Sequence, residues 1–217
     1  MAIDLDLFRS MRSPRAIAVA AAAVAGAAII VGGGWFWYGA YQARGSAAYA
    51  EALTRAQGSQ APRAPAEARA AAIRELEAVL AEYPSNAIAV QAAYELGNLR
   101  YLNREYPAAR GAYAVALAKG AKGTLQTLSR AGIAYAWESE RDFAKAAQGF
   151  QSALEGLKPQ DFLYEDLVVG LARTQELSEQ KDAAIATYRR LLQELPKARR
   201  ADLVRTRLAE LGAGPPS

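Results

Sequence analysis

Residues 92–120 read AAYELGNLRYLNREYPAARGAYAVALAKG, and the reading of this stretch decides the fold. Leu96 and Gly97 fall on a first predicted helix, Ala109, Tyr113 and Ala116 on a second, with the polar turn Asn103-Arg104-Glu105 between them. An antiparallel helix pair needs such residues: a small Gly97 facing a small Ala109 lets two backbones cross closely, while Leu96 and Tyr113 fill the space to either side. Residues 130–159, RAGIAYAWESERDFAKAAQGFQSALEGLKP, repeat the pattern with Ala146, Phe150 and Ala153 after a turn at 139–142. A third copy places Ala184 and Tyr188 before Pro196. The equivalent aromatics Tyr113, Phe150 and Tyr188 stand 37 and then 38 residues apart. A fixed period of this length predicts stacked helix pairs that share a continuous apolar seam, with Ala116 and Ala153 leaving room for the next unit's first helix.

The units extend in both directions. Upstream, AEARAAAIRELEAVLAEYPSN reads as the second helix of a unit, with Ala72, Leu76, Leu80 and Pro84 in register. Its first helix is expected at 45–55, and the loop at 58–65. Downstream, residues 198–211 read as a capping helix, and GAGPPS as a flexible tail at 212–217.

Composition agrees with helices. The 217 residues are rich in alanine and contain neither cysteine nor histidine. Disulfides, Cys/His metal sites, thiol nucleophiles and the usual general base are thereby excluded. A net charge of +4, with acids interspersed among the bases, gives no field of the kind that binds nucleic acid. The pairs Glu138 with Glu140 and Glu165 with Asp166 have no converging nucleophile, base or phosphate loop, so no enzyme and no cofactor is expected.

At the other end of the polarity scale, residues 16–43 carry no charge, and 17–41 are apolar apart from glycines. This exceeds the roughly 20 residues that a helix needs to cross a bilayer, and it outruns the h-region of a cleaved signal peptide. Arg9, Arg12 and Arg15 precede the run, and Trp35, Trp37, Tyr38 and Tyr41 crowd its far end, where aromatic rings prefer the headgroup level. The expectation is an uncleaved signal anchor at 16–43 with a short cytoplasmic tail at 1–15. The connecting helix and loop then occupy 44–65, and the repeat domain 66–211 lies outside the cytoplasm. Ala18, Ala22, Gly26 and Gly33 offer small residues at which a second membrane helix can approach, and the run Gly32-Gly33-Gly34 is expected to loosen the helix near its outer end.

The helix-pair residues resemble the tetratricopeptide repeat family, whose pattern passes through the positions of Leu96, Gly97, Ala109, Tyr113 and Ala116. The resemblance covers about residues 66–196. It implies an all-α fold: one N-terminal transmembrane helix, then a short tetratricopeptide-type α-solenoid of about three to four helix pairs plus a capping helix. At the glycine position the later units have Ala134 and Ala172, and the units exceed the family's usual length of about 34 residues. A single N-terminal span followed by irregular repeats also resembles the ancillary translocon-subunit family of bacterial inner membranes, one of whose roles is to link the export channel to periplasmic chaperones. It implies an inner-membrane protein with a cytoplasmic N-terminus and a periplasmic repeat domain.

By the family's register, partners lie along the face made by first helices, here Tyr94, Asn98, Tyr101, Leu102, Tyr135, Glu138, Arg173 and Leu177. The same tyrosines also suit packing between units. Asn98 alone matches the family's carboxylate clamp, and Tyr94 replaces its lysine, so recognition of a peptide's carboxyl terminus is not expected. The expected function is a membrane-anchored scaffold whose span meets an integral membrane complex and the lipid, and whose repeat face meets a protein partner. A fixed accessory subunit of an energy-converting or transport complex is the alternative, and self-assembly through the span and the tyrosine-rich face a third. Arg189, Arg190, Lys197, Arg199, Arg200, Arg205 and Arg207 form a basic stretch near the carboxyl end, readable as a solvated face or as a site for an anionic partner.

Overall fold

The computed structural model describes residues 14–61 and 64–213. Arg9, Arg12 and nearly all of the expected tails at 1–15 and 212–217 lie outside them. The described residues form helices without strands: α1 (Pro14–Ser59), α2 (Ala66–Glu82), α3 (Ala89–Leu102), α4 (Tyr106–Ala118), α5 (Gly123–Ser139), α6 (Phe143–Leu154), α7 (Tyr164–Leu177), α8 (Lys181–Glu194) and α9 (Ala201–Glu210). The chain divides into two compact units, Met1–Ala47 and Ala48–Ser217.

The first unit is the greater part of α1, a helix long and apolar enough to cross a membrane, with a mean hydropathy of 2.2 over its most apolar 18 residues. Its large apolar side chains are exposed all round, from Ile17 through Ile29 and Ile30 to Trp35, Phe36 and Trp37. Such a helix has no polar face to turn toward water, a property that membrane-spanning helices share with signal sequences. The expected loosening at Gly32-Gly33-Gly34 does not occur, because the helix runs through these residues unbroken. Backbone bonds within one helix satisfy every amide, and glycines without a competing partner leave them in place.

In the second unit, consecutive helices pack on one another from α2 to α9, and α3 also meets α5. Three apolar clusters form its core. The first gathers Tyr49, Ala52, Leu53 and Ala56 from the end of α1 with Ile73, Leu76, Leu96 and Leu99 from α2 and α3. The second joins Ala131, Ala134, Ala146, Phe150, Leu167 and Leu171 across α5, α6 and α7. The third joins Val168, Ala172, Tyr188, Leu191, Val204 and Leu208 across α7, α8 and α9.

The close approaches are made differently from the expectation. What stands nearest to Gly97 is the ring of Tyr113, not Ala109: a Cβ added there would lie 2.5 Å from Tyr113 Cε1. The other side of the same ring lies on Gly132, where an added Cβ would be 2.5 Å from Cζ. Tyr113 is thus held between two glycine backbones, one on α3 and one on α5. Phe150 repeats half of this arrangement by lying on Gly170 of α7. Between α5 and α6 the close crossing falls to Gly149 against the backbone of Ala134, so the alanine at the expected glycine position is matched by a glycine on the opposite helix.

The turns after α3, α5 and α7 share one geometry. Arg104, Arg141 and Glu179 have positive φ of 63°, 64° and 63°. In each turn the next residue's N–H returns to the carbonyl five residues back: Glu105 to Arg100, Asp142 to Trp137 and Gln180 to Gln175. This is the Schellman closure, which satisfies carbonyls left over at a helix end and usually employs glycine. A side chain in the left-handed region costs about 1–2 kcal/mol. Arg141→Gly is therefore expected to raise the melting temperature slightly, and Arg141→Val to lower it, in thermal unfolding followed by circular dichroism. The reverse order would show that the turn is not held in this conformation.

Candidate partner-binding cleft

Four residues predicted for the partner face meet in one place. Tyr94, Asn98 and Tyr101 recur at i, i+4 and i+7 on α3, which sets them on a single side of that helix. Leu128, Ala131, Gly132 and Tyr135 do the same on α5. Together with Tyr113 from α4 these residues line a cleft of about 380 Å³. The approach of α3 to α5 depends on Tyr113 having glycine on both sides, so the feature that packs the helices also sets the cleft's width.

Hydrogen bonds and ring contacts fix the tyrosines. Tyr113 Oη donates to Asn98 Oδ1 at 2.8 Å, and Asn98 Nδ2 donates to Glu95 Oε2 at 3.1 Å. The same Glu95 oxygen accepts from Gln60 Nε2 at 2.6 Å. The rings of Tyr94 and Tyr113 stand 5.8 Å apart and tilted. Tyr135 meets Phe150 edge to face at 4.9 Å, and Tyr101 meets Tyr106 in the same manner at 5.5 Å. Tyr101 Oη and Ser139 Oγ, on consecutive first helices, are 3.0 Å apart.

The remaining predicted residues have other surroundings. Glu138 and Arg173 hold each other through two parallel hydrogen bonds, Nε to Oε1 at 2.7 Å and Nη2 to Oε2 at 2.8 Å. This bidentate pair ties α5 to α7, and its bond to the carboxylate pushes the Arg173 guanidinium up from its ordinary pKa. Leu102 and Leu177 are exposed at the ends of α3 and α7 and do not line the cleft. On α1, Ala18 and Ala22 are exposed, and open space surrounds a Cβ placed at Gly26 or Gly33. Arg15, Trp35, Trp37 and Tyr38 are exposed, Trp37 stacks on Tyr41 at 6.1 Å, and Gln42 donates to Tyr38 Oη at 2.8 Å.

The basic stretch is answered partly by acids from earlier in the chain and partly by acids beside it. Arg200 and Arg199 reach Asp166 at 2.8 and 3.5 Å, Arg207 reaches Glu176 at 3.9 Å and Glu210 at 2.7 Å, and Arg205 reaches Asp202 at 2.7 Å. Glu165 accepts the backbone N–H groups of Arg199 and Arg200, closing the approach to α9. The carboxylate pairs read in the sequence are thus occupied structurally: Glu140 pairs with Arg110, which also lies 3.4 Å over the ring of Trp137.

Burial raises the phenols of Tyr94, Tyr113 and Tyr135. Burial, joined by the neighbouring Glu176 carboxylate, pushes Tyr188 up to about 12. A phenol with a raised pKa in the fold remains protonated where the unfolded chain has already lost its proton. The stabilisation is complete below the ordinary value near 10 and is lost as pH rises toward 12. Thermal unfolding between pH 9 and 12 is expected to show a falling melting temperature, and absorbance titration at 295 nm a late-ionising group of tyrosines. Ionisation of all tyrosines near pH 10 would contradict the packing described.

Sequence reasoning missed Leu128, Ala131 and Gly132 as parts of this wall, although the i, i+3, i+4, i+7 series that ends at Tyr135 marks them. Glu95 carried no signal, since its place depends on Asn98 and Gln60. Comparison with protein-family models gives no match for this chain, and comparison with curated proteins gives none.

Proposed function

We propose that this protein is a membrane-anchored scaffold of the bacterial cell envelope, built as a tetratricopeptide-type α-solenoid that offers the α3–α5 cleft to a protein partner. The observation that carries the reading is the convergence of Tyr94, Asn98, Tyr101 and Tyr135 on one cleft, in a chain whose N-terminal helix is long and apolar enough to cross a membrane. Tyrosines bury area at small entropic cost and still hydrogen-bond, which suits them to anchor a partner. The common spacing of Tyr113, Phe150 and Tyr188 and of the turns at Arg104, Arg141 and Glu179 supports the solenoid assignment. The arginines before the span support a cytoplasmic N-terminus and an extracytoplasmic repeat domain, which in a diderm cell is periplasmic.

Purification in a mild non-ionic detergent, followed by mass spectrometry, tests the scaffold. The expected result is a stoichiometric membrane partner together with soluble proteins that salt or competitor releases. Recovery of the chain alone would overturn the reading, and soluble partners that never exchange would favour a fixed subunit of one complex. A reporter active only outside the cytoplasm, fused after Ser217, is expected to be active; a silent fusion beside an active cytoplasmic control would reverse the orientation.

A further inference from the structure

The lining of the cleft holds phenol rings, an amide and small apolar groups, and no charged side chain. One carboxylate stands a single hydrogen bond behind it. Glu95 Oε2 receives Asn98 Nδ2 at 3.1 Å and Gln60 Nε2 at 2.6 Å, and both donors are neutral amides. Among the described residues no cation comes within ion-pair distance of Glu95, whereas Glu138, Glu140, Glu165, Asp166 and Glu176 each have an arginine nearby. The negative charge reaches into the cleft, where it contributes to raising the phenols of both Tyr94 and Tyr113. On the far side, Arg173 is engaged by Glu138, so that pair adds no net charge.

Aromatic faces and an unneutralised carboxylate attract the same kind of ligand, a cation with a desolvatable surface. Between the two protein cations, guanidinium is the better match. It is planar, it is weakly hydrated, it stacks on aromatic rings, and its donors reach phenol and carboxylate oxygens together. The protein already uses this chemistry internally where Arg110 covers Trp137 at 3.4 Å. The cleft, at about 380 Å³, lies in the size range of ligand pockets, and Leu128 and Ala131 give its α5 wall an apolar surface for residues flanking the cation.

We infer that the cleft between α3 and α5 recognises an arginine side chain on an extended segment of a protein partner, with the guanidinium among Tyr94, Tyr101 and Tyr135 and turned toward Glu95. This rests on the scaffold reading for the kind of partner and adds the chemistry that selects it.

The test uses the full chain in maltoside micelles and two fluorescein-labelled ten-residue peptides of glycine and serine with a central Leu-Arg-Leu or Leu-citrulline-Leu. Citrulline keeps the shape of arginine and removes its charge. By fluorescence anisotropy the arginine peptide is expected to bind at least about five-fold more tightly. Glu95→Gln, which keeps an acceptor for both amides, is expected to bring the two affinities together. Tyr101→Leu is expected to weaken the arginine peptide while circular dichroism shows the helices retained. Equal binding of the two peptides, binding of neither, or a ratio unmoved by Glu95→Gln would overturn the assignment. Displacement of the arginine peptide by soluble phosphocholine at an equal or lower concentration would also overturn it, in favour of a lipid headgroup. The two readings fail separately: a chain that co-purifies with stoichiometric partners yet binds both peptides equally keeps the scaffold and loses the arginine, and a chain recovered alone does the converse.

Discussion

Replacing Gly132 with alanine is expected to destabilise the protein, although the same change at Gly111 should stabilise it. Both glycines lie inside helices, where alanine is preferred by about 0.8–1.0 kcal/mol. At Gly111 an added Cβ meets nothing within 4 Å, so the preference is realised in full. At Gly132 the new methyl would stand 2.5 Å from Tyr113 Cζ. That ring cannot retreat, because Gly97 supports its other side and the side chain is almost wholly buried. Overpacking of this kind costs about 1–3 kcal/mol, which outweighs the helical gain. In a unit of this size each kcal/mol moves the melting temperature by about 2–4 °C. The two variants should therefore move in opposite directions, followed by circular dichroism in detergent. Adding Tyr113→Leu to Gly132→Ala should recover part of the loss, since a double-mutant cycle between residues in contact is non-additive. Equal shifts at Gly111 and Gly132 would show that Tyr113 is not clamped.

Phe150→Ala should have the larger effect. The Phe150 side chain is fully buried, lies on the backbone of Gly170 and meets the edge of Tyr135. Removing such a ring from a packed core costs about 3–5 kcal/mol, a large share of the roughly 5–15 kcal/mol that holds a typical domain. Urea unfolding should show a matching loss in midpoint, with Phe162→Ala as the control. Phe162 is 85% exposed, and its removal should fall within about 0.5 kcal/mol of the parent. Phe150→Ala should also loosen the cleft, because Tyr135 loses its neighbour. A tolerated Phe150→Ala would mean that α5, α6 and α7 do not share the core described.

Tyr113 and Phe150 are both legible in the sequence, because a buried ring on a second helix recurs with the period of the unit. Their glycine partners are less so. Gly132 and Gly170 stand two residues ahead of Ala134 and Ala172, the positions equivalent to Gly97 by the spacing of the repeat, and sequence spacing alone does not say which side of a helix a ring from the preceding unit will touch. The turns at Arg104, Arg141 and Glu179 are legible as turns, but their backbone conformation is not, since arginine and glutamate have no preference for positive φ and the geometry is imposed by closure on the preceding helix. The basic stretch looks poorly compensated in the sequence because its acids, Glu165, Asp166 and Glu176, sit on α7 and join it only when the helices pack. On the cleft, the tyrosines can be read from helical spacing. Glu95 cannot, because its role comes from hydrogen bonds that reach from the end of α1 to α3.

The succession of helices, each packed mainly on those next to it in the chain, bears on how the protein acquires its shape. Contacts between chain neighbours close short loops, so little of the search is spent bringing distant segments together, and helical domains with such contacts fold in microseconds to milliseconds. No early helix has to wait for the last one. The cleft is complete once α3, α4, α5 and the Phe150 support on α6 have formed, which means that a chain still growing can present it before α8 and α9 exist.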